Sequence, residues 1–211
     1  MSQHGICTGL CFTVLLAAQA GGQVGRNQAV LNPNLAGQEE LAALPGMTAE
    51  LAQAIVEDRP FLGMPALDQV LAKSLDEAQR DKLYTTLFVP LNLNAASREE
   101  ILLVPSVGKR MAHEFEEYRP YRSLAQFRRE MGKYVDDAEV ARLEQFVFIP
   151  LHLNTASEDD FKTIPGVGDR MAHEFMEYRP YQDLAQFRRE IGKYVSEEEV
   201  ARLQRYVALD G

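Results

Sequence analysis

In the last third of the chain the apolar side chains fall at helical spacing. Met171, Ala172, Phe175 and Tyr178 lie at offsets of one, four and seven, the stripe of an amphipathic helix over residues 169–178. Val200, Leu203 and Val207 form a second stripe. Ser196 starts that helix, and Glu197, Glu198 and Glu199 suit the positive end of its dipole. Between the two, Asp183 predicts a cap for a helix over 184–191, with Gly192 as a left-handed residue at its C-terminal end. Upstream, Ser157 with Asp160 three residues on predicts a capped helix over 158–163. Ile164-Pro165-Gly166-Val167-Gly168 breaks the chain after it, and Pro180 ends the next helix by holding Arg179 out of the helical region. The same four-helix pattern runs from Ser97 to Val147, and no stretch alternates as a strand does. The pattern predicts an all-α fold.

The pattern is also periodic. Residues 91–150 and 151–210 align without a gap at 36 identities in 60 positions, and 31–90 align on 91–150 at 17 in 60. Leu31, Leu91 and Leu151 recur in register, as do Asn34, Asn94 and Asn154, and Arg59-Pro60, Arg119-Pro120 and Arg179-Pro180. Three tandem units follow, 31–90, 91–150 and 151–211, the first diverged. A 60-residue period is long for a stacked solenoid, so each unit is expected to hold a small core of its own. The junctions, Val89 to Asn94 and Ile149 to Asn154, are apolar and are expected to pack as extended segments that fix one copy against the next.

Composition adds two constraints. The formal charge of −9 and an apolar share of 46% describe a folded chain with no overall attraction for phosphate. Residues 1–20 carry no charged side chain, run apolar from Ile6 to Ala18 and end in Ala18-Gln19-Ala20, which predicts a signal peptide cut after Ala20. Residues 21–30 then form a linker. The protein is expected to be exported, to the periplasm, the cell surface or the medium. The apolar run is shorter than the ~20 residues that span a bilayer. Cys7 and Cys11 fall inside it, so the mature chain has no thiol and no disulfide.

A helix, a turn of the form apolar-Pro-Gly-apolar-Gly and a helix with Ala four residues after the last Gly resemble the helix-hairpin-helix motif. Ile164-Pro165-Gly166-Val167-Gly168 with Ala172 matches best, then Val104-Pro105-Ser106-Val107-Gly108 with Ala112. With the Leu-x-Leu-Asn-x-Ala-Ser at Leu91 to Ser97 and Leu151 to Ser157, the chain resembles the exported competence DNA-receptor family. The second hairpin of each unit is degenerate, keeping only Gly132 or Gly192. Leu44-Pro45-Gly46-Met47-Thr48 of the first unit lacks the second Gly.

Such a turn, followed at once by a helix, leaves unpaired N–H groups and a partial positive charge pointing outward, which suits an anion. The resemblance implies double-stranded DNA, held through its phosphates without reading of bases. The expected contacts are Val107, Gly108, Lys109 and Arg110, and Gly166, Val167, Gly168 and Arg170, although Asp169 opposes an anion in the third unit. Arg119, Arg122, Arg128, Arg129 and Lys133 could extend the track. The alternatives are that the glycines only permit a tight turn and that these bases pair with the acidic starts of the last helices, Asp136, Asp137 and Glu139. The middle unit, with 9 bases and 10 acids, is the best DNA candidate; the third has 8 and 12.

His113-Glu114 and His173-Glu174 begin like a metalloprotease helix but lack the second His, so no metal site is expected. No cofactor and no catalytic residues are expected either, since no nucleophile–base pair or paired-acid signature stands out. The rival to DNA binding is a scaffold that keeps the fold and binds a basic protein partner, a use found in the extrinsic luminal subunit of photosystem II, which these units also resemble.

Overall fold

The computed structural model describes residues 30–209, and the fold is predominantly helical. The expected signal peptide and residues 21–29 of the linker lie outside the described residues. Within them are α1 Gln38–Ala42, α2 Ala49–Glu57, α3 Met64–Leu71, α4 Glu77–Leu83, α5 Arg98–Leu102, α6 Lys109–Glu117, α7 Leu124–Met131, α8 Asp137–Glu144, α9 Glu158–Phe161, α10 Asp169–Glu177, α11 Leu184–Ile191 and α12 Glu197–Gln204. None of these helices is long and apolar enough to cross a membrane.

The caps read from the sequence set most of the helix starts. Ser157 Oγ accepts from the Asp160 amide at 3.1 Å, and the Asp160 carboxylate accepts from the Ser157 amide at 2.8 Å. Asp183 accepts from the Gln186 amide at 2.6 Å, and Ser196 from Glu199 at 3.3 Å. Helix α9 stops at Phe161, two residues early, because the Thr163 amide and hydroxyl both turn back onto the Asp160 carbonyl. Gly192 is not left-handed: its φ is −61°, and Gly132 matches it at −62°. What these glycines supply is room, since a Cβ at Gly192 would sit 2.7 Å from the Arg188 carbonyl oxygen.

Four two-residue strands accompany the helices, too short to show any alternation. Strand β1 (Leu91–Asn92) pairs in parallel with β2 (Val147–Phe148), and β3 (Leu151–His152) with β4 (Val207–Ala208); Leu31 bridges Leu87 in the same sense. The junction segments do pack as extended chain. Each is hydrogen-bonded to the residues 56 positions further on, so the start of every 60-residue segment is tied to its own end.

The core departs from three separate centres. Residues 30–149 share one continuous apolar cluster that includes Ile55, Phe88, Phe115 and Phe127, while residues 148–207 form a second around Phe161, Phe175 and Phe187. Rings cross the junctions: Phe88 meets Phe146 at 5.0 Å between centroids, and Phe148 meets Tyr206 at 4.4 Å. The first two segments thus share what each was expected to bury alone.

Candidate nucleic-acid interface

Each turn that precedes α2, α6 or α10 is built around one left-handed residue. Gly46 has φ +81°, Gly166 +83°, and Ser106, which carries a side chain there, +65°. The next residue turns inward. Val107 and Val167 are buried, and their amides already donate to Val104 and Ile164 carbonyls at 3.0 Å. Neither amide is therefore open to a ligand, which removes Val107 and Val167 from the expected contacts.

The following residue opens the helix. Gly108 caps α6 with φ −93° and Gly168 caps α10 with φ −99°, values that any residue adopts. A Cβ at either would meet nothing within 4 Å. Neither backbone strain nor internal crowding asks for glycine here. At the equivalent point before α2 stands Thr48, whose hydroxyl accepts from the Leu51 amide at 3.2 Å and caps the helix. The glycines leave α6 and α10 with no side-chain cap and a bare outward surface.

Charge separates the two open ends. Lys109 and Arg110 are exposed and form no ion pair among the described residues. At α10 the first residue is Asp169, which Lys162 engages at 3.0 Å while also pairing with Glu158 at 2.9 Å; these carboxylates raise the lysine's affinity for its proton. Arg170 remains exposed. Gly166 is hemmed in: a Cβ on it would lie 3.0 Å from Arg202 Nη2 and 3.1 Å from Leu35 Cδ2 of the first segment. Gly166 is thus a packing position rather than a ligand contact.

Beside the start of α6 lies a cleft of about 220 Å³ lined by Gly108, Arg110, Met111, Glu114 and Tyr134. The Tyr134 hydroxyl meets that of Tyr118 at 2.8 Å, and this bond, with Glu114, raises its pKa. One Glu114 carboxylate oxygen, Oε2, is buried without a hydrogen-bond partner, as is that of Glu174 at the equivalent place. Tyr134 carried no signal in the sequence, because its contact with Tyr118, 16 residues earlier, joins the end of α6 to the turn between α7 and α8 rather than lying along one periodic face.

The accessory track is largely consumed inside the protein. Arg119 is part-buried and donates from Nε to the Leu93 carbonyl at 2.6 Å and from Nη2 to Ala96 at 2.7 Å, as Arg179 does to Leu153 and Ala156. It therefore ties the junction to the end of α6. Arg128 holds Glu144 through two bonds of 2.6 Å, and Arg129 and Lys133 both hold Glu130. Those bonds keep the Glu130 carboxyl below the usual carboxylate range. The bases are paired, as one alternative had it, but with Glu144 and Glu130; Glu139 is taken by Arg142 and Asp136 caps α8. Arg122 alone of the five is left exposed without an ion pair among the described residues.

Comparison with family models, with curated proteins and with solved structures gives no match for this chain.

Proposed function

We propose that this is an exported, non-enzymatic protein made of three helix-hairpin-helix-like units, similar to the competence DNA receptors, that holds double-stranded DNA weakly and without regard to sequence. The middle unit supplies the main contact: the bare amides that follow Gly108, with Lys109 and Arg110 beside them. One observation carries the reading. Glycine at the start of α6 serves neither φ nor internal space, and it forgoes the cap that Thr48 gives α2, so its use lies in what approaches from outside. The start of α10 is a weaker auxiliary contact through Gly168 and Arg170, discounted by Asp169.

Fluorescence anisotropy of residues 21–211 on an unrelated set of short duplexes at low salt tests this. Binding should be similar for all of them, and its logarithm should fall with log salt at a slope of about −2, since roughly two phosphates are neutralised. The Lys109→Glu/Arg110→Glu variant should not bind. Absence of binding by the parent at tens of micromolar rejects the reading.

A second reading, a scaffold for a basic protein partner, is favoured by the internal pairing of Arg119, Arg128, Arg129 and Lys133 in a chain of charge −9. It predicts indifference to duplex and retention of a cationic protein from an envelope extract.

A further inference from the structure

A second cavity lies away from the turns, where Leu62 of the first segment faces α11 and α12 of the third. It measures about 760 Å³, within the range of small-molecule clefts. Leu62, Val200 and Ala201 give it apolar walls; Arg188 and Arg205 bring to it two guanidinium groups with no ion pair among the described residues, beside Glu197, while the third guanidinium of the lining, Arg189, is already held by Glu190 at 2.8 Å. Leu62 is an apolar side chain left about half exposed, at 49%.

The residues 60 positions earlier show what differs here. Arg188 corresponds to Arg128, whose charge is answered by both oxygens of Glu144. The residue corresponding to Glu144 is Gln204, so Arg188 meets only a neutral amide oxygen, at 2.9 Å. The next residue changes the same way, from Gln145 to Arg205. Two adjacent differences at the end of α12 thus make the local charge more positive by two, in a chain that is acidic overall.

Arg205 is the less satisfied of the pair. Its Nη2 donates to the Pro90 carbonyl at 2.8 Å, and its guanidinium lies over the rings of Phe148 and Tyr206 at 5.5 and 5.7 Å. Nη1 is buried without a hydrogen-bond partner, as is the Tyr206 hydroxyl, although the two groups interact electrostatically. Burial lowers the affinity of this side chain for its proton. A cation held so far from water, with an idle donor and, of the carboxylates, only Glu100 attracting it without an ion pair, costs stability unless an anion completes it.

The geometry points to a binding site in this cleft for a small organic acid: a carboxylate met by Arg188 and Arg205, with an apolar chain against Leu62, Val200 and Ala201. The site is independent of the DNA reading, and no duplex enters its test.

Titration calorimetry of residues 21–211 with decanoate checks the assignment, with acetate as the head group alone and decyltrimethylammonium as the chain with the opposite charge. Decanoate should bind at one site per chain, and the other two should not saturate. Gln204→Glu installs at α12 the partner that Arg128 already has at α8, so it should leave the circular dichroism spectrum and melting unchanged while weakening decanoate about tenfold or more. Leu62→Asn should weaken it as well, whereas Glu144→Gln, in the corresponding place of the middle segment, should not. Equal binding of decanoate by the parent and Gln204→Glu, binding of the cationic chain as tightly as the acid, or no binding of decanoate at millimolar concentration would each overturn the site.

Discussion

Asn34 and Phe61 exchange two hydrogen bonds across 27 residues: the Asn34 amide nitrogen donates to the Phe61 carbonyl at 2.9 Å, and the Phe61 amide donates to Asn34 Oδ1 at 2.7 Å. The same exchange joins Asn94 to Tyr121 and Asn154 to Tyr181, with the same two distances each time. The recurring asparagine is a clamp between the junction and the start of the second helix pair. Because the first clamp is buried, Asn34→Ala strands a donor and an acceptor, and should cost about 2–3 kcal/mol in urea unfolding. Asn94 is more exposed, and water replaces part of what Asn94→Ala removes, so that variant should cost less.

Arg119 and Arg110 should behave oppositely. Arg119→Ala removes two bonds to carbonyls and should lower stability by about 1–3 kcal/mol, with duplex affinity unchanged above the melting loss. Arg110→Ala should leave melting within about 0.5 kcal/mol and weaken duplex binding. A reversed pattern, with Arg119 governing affinity, would restore the extended track.

Gly108→Thr gives α6 the cap that α2 already has. It should raise stability by a few tenths of a kcal/mol, because threonine caps a helix slightly better than glycine. The same change puts a side chain over the amides and should weaken duplex binding. Gain of stability with loss of affinity separates a glycine kept for a ligand from one kept for the turn.

Acid should unfold the protein through its paired carboxylates. Glu116 is held below the ordinary carboxylate range by Arg98, Glu130 by Lys133 and Arg129, Glu139 by Arg142, and Glu190 by Lys193 and Arg189. Each folded-state pKa lies below its unfolded value, so the stabilisation is complete above the unfolded value of about 4.3 and disappears as pH falls through the lowered folded ones. Melting temperature should be flat from neutral pH to about 5 and drop below that. Glu130→Gln should flatten the drop. A melting temperature that holds to pH 3 would show these pairs to be energetically idle.

Local chemistry was legible in the chain. Ser157 with Asp160, Asp183 and Ser196 announced their helices because a cap and its amide lie three residues apart, and the stripe at Met171, Ala172, Phe175 and Tyr178 gave the next one. What joins distant residues was not. Arg128 lies nearer in sequence to Asp136, Asp137 and Glu139 than to Glu144, yet α7 and α8 fold back so that only Glu144 meets it. Arg119 looked like a free base because nothing in its neighbourhood announces that two carbonyls, 23 and 26 residues earlier, wait for it. The two open glycines were visible as letters, but their meaning needed the measured φ and the empty space around them.

The parallel pairing of Leu91 with Val147 and of Leu151 with Val207 brings the point where the chain arrives in a segment next to the point where it leaves. A duplicated stretch of 60 residues can therefore be spliced in behind its parent without rerouting any backbone. Growth by whole modules is easy for such an architecture, and each module is then free to differ from its neighbour, as Gln204 and Arg205 differ from Glu144 and Gln145.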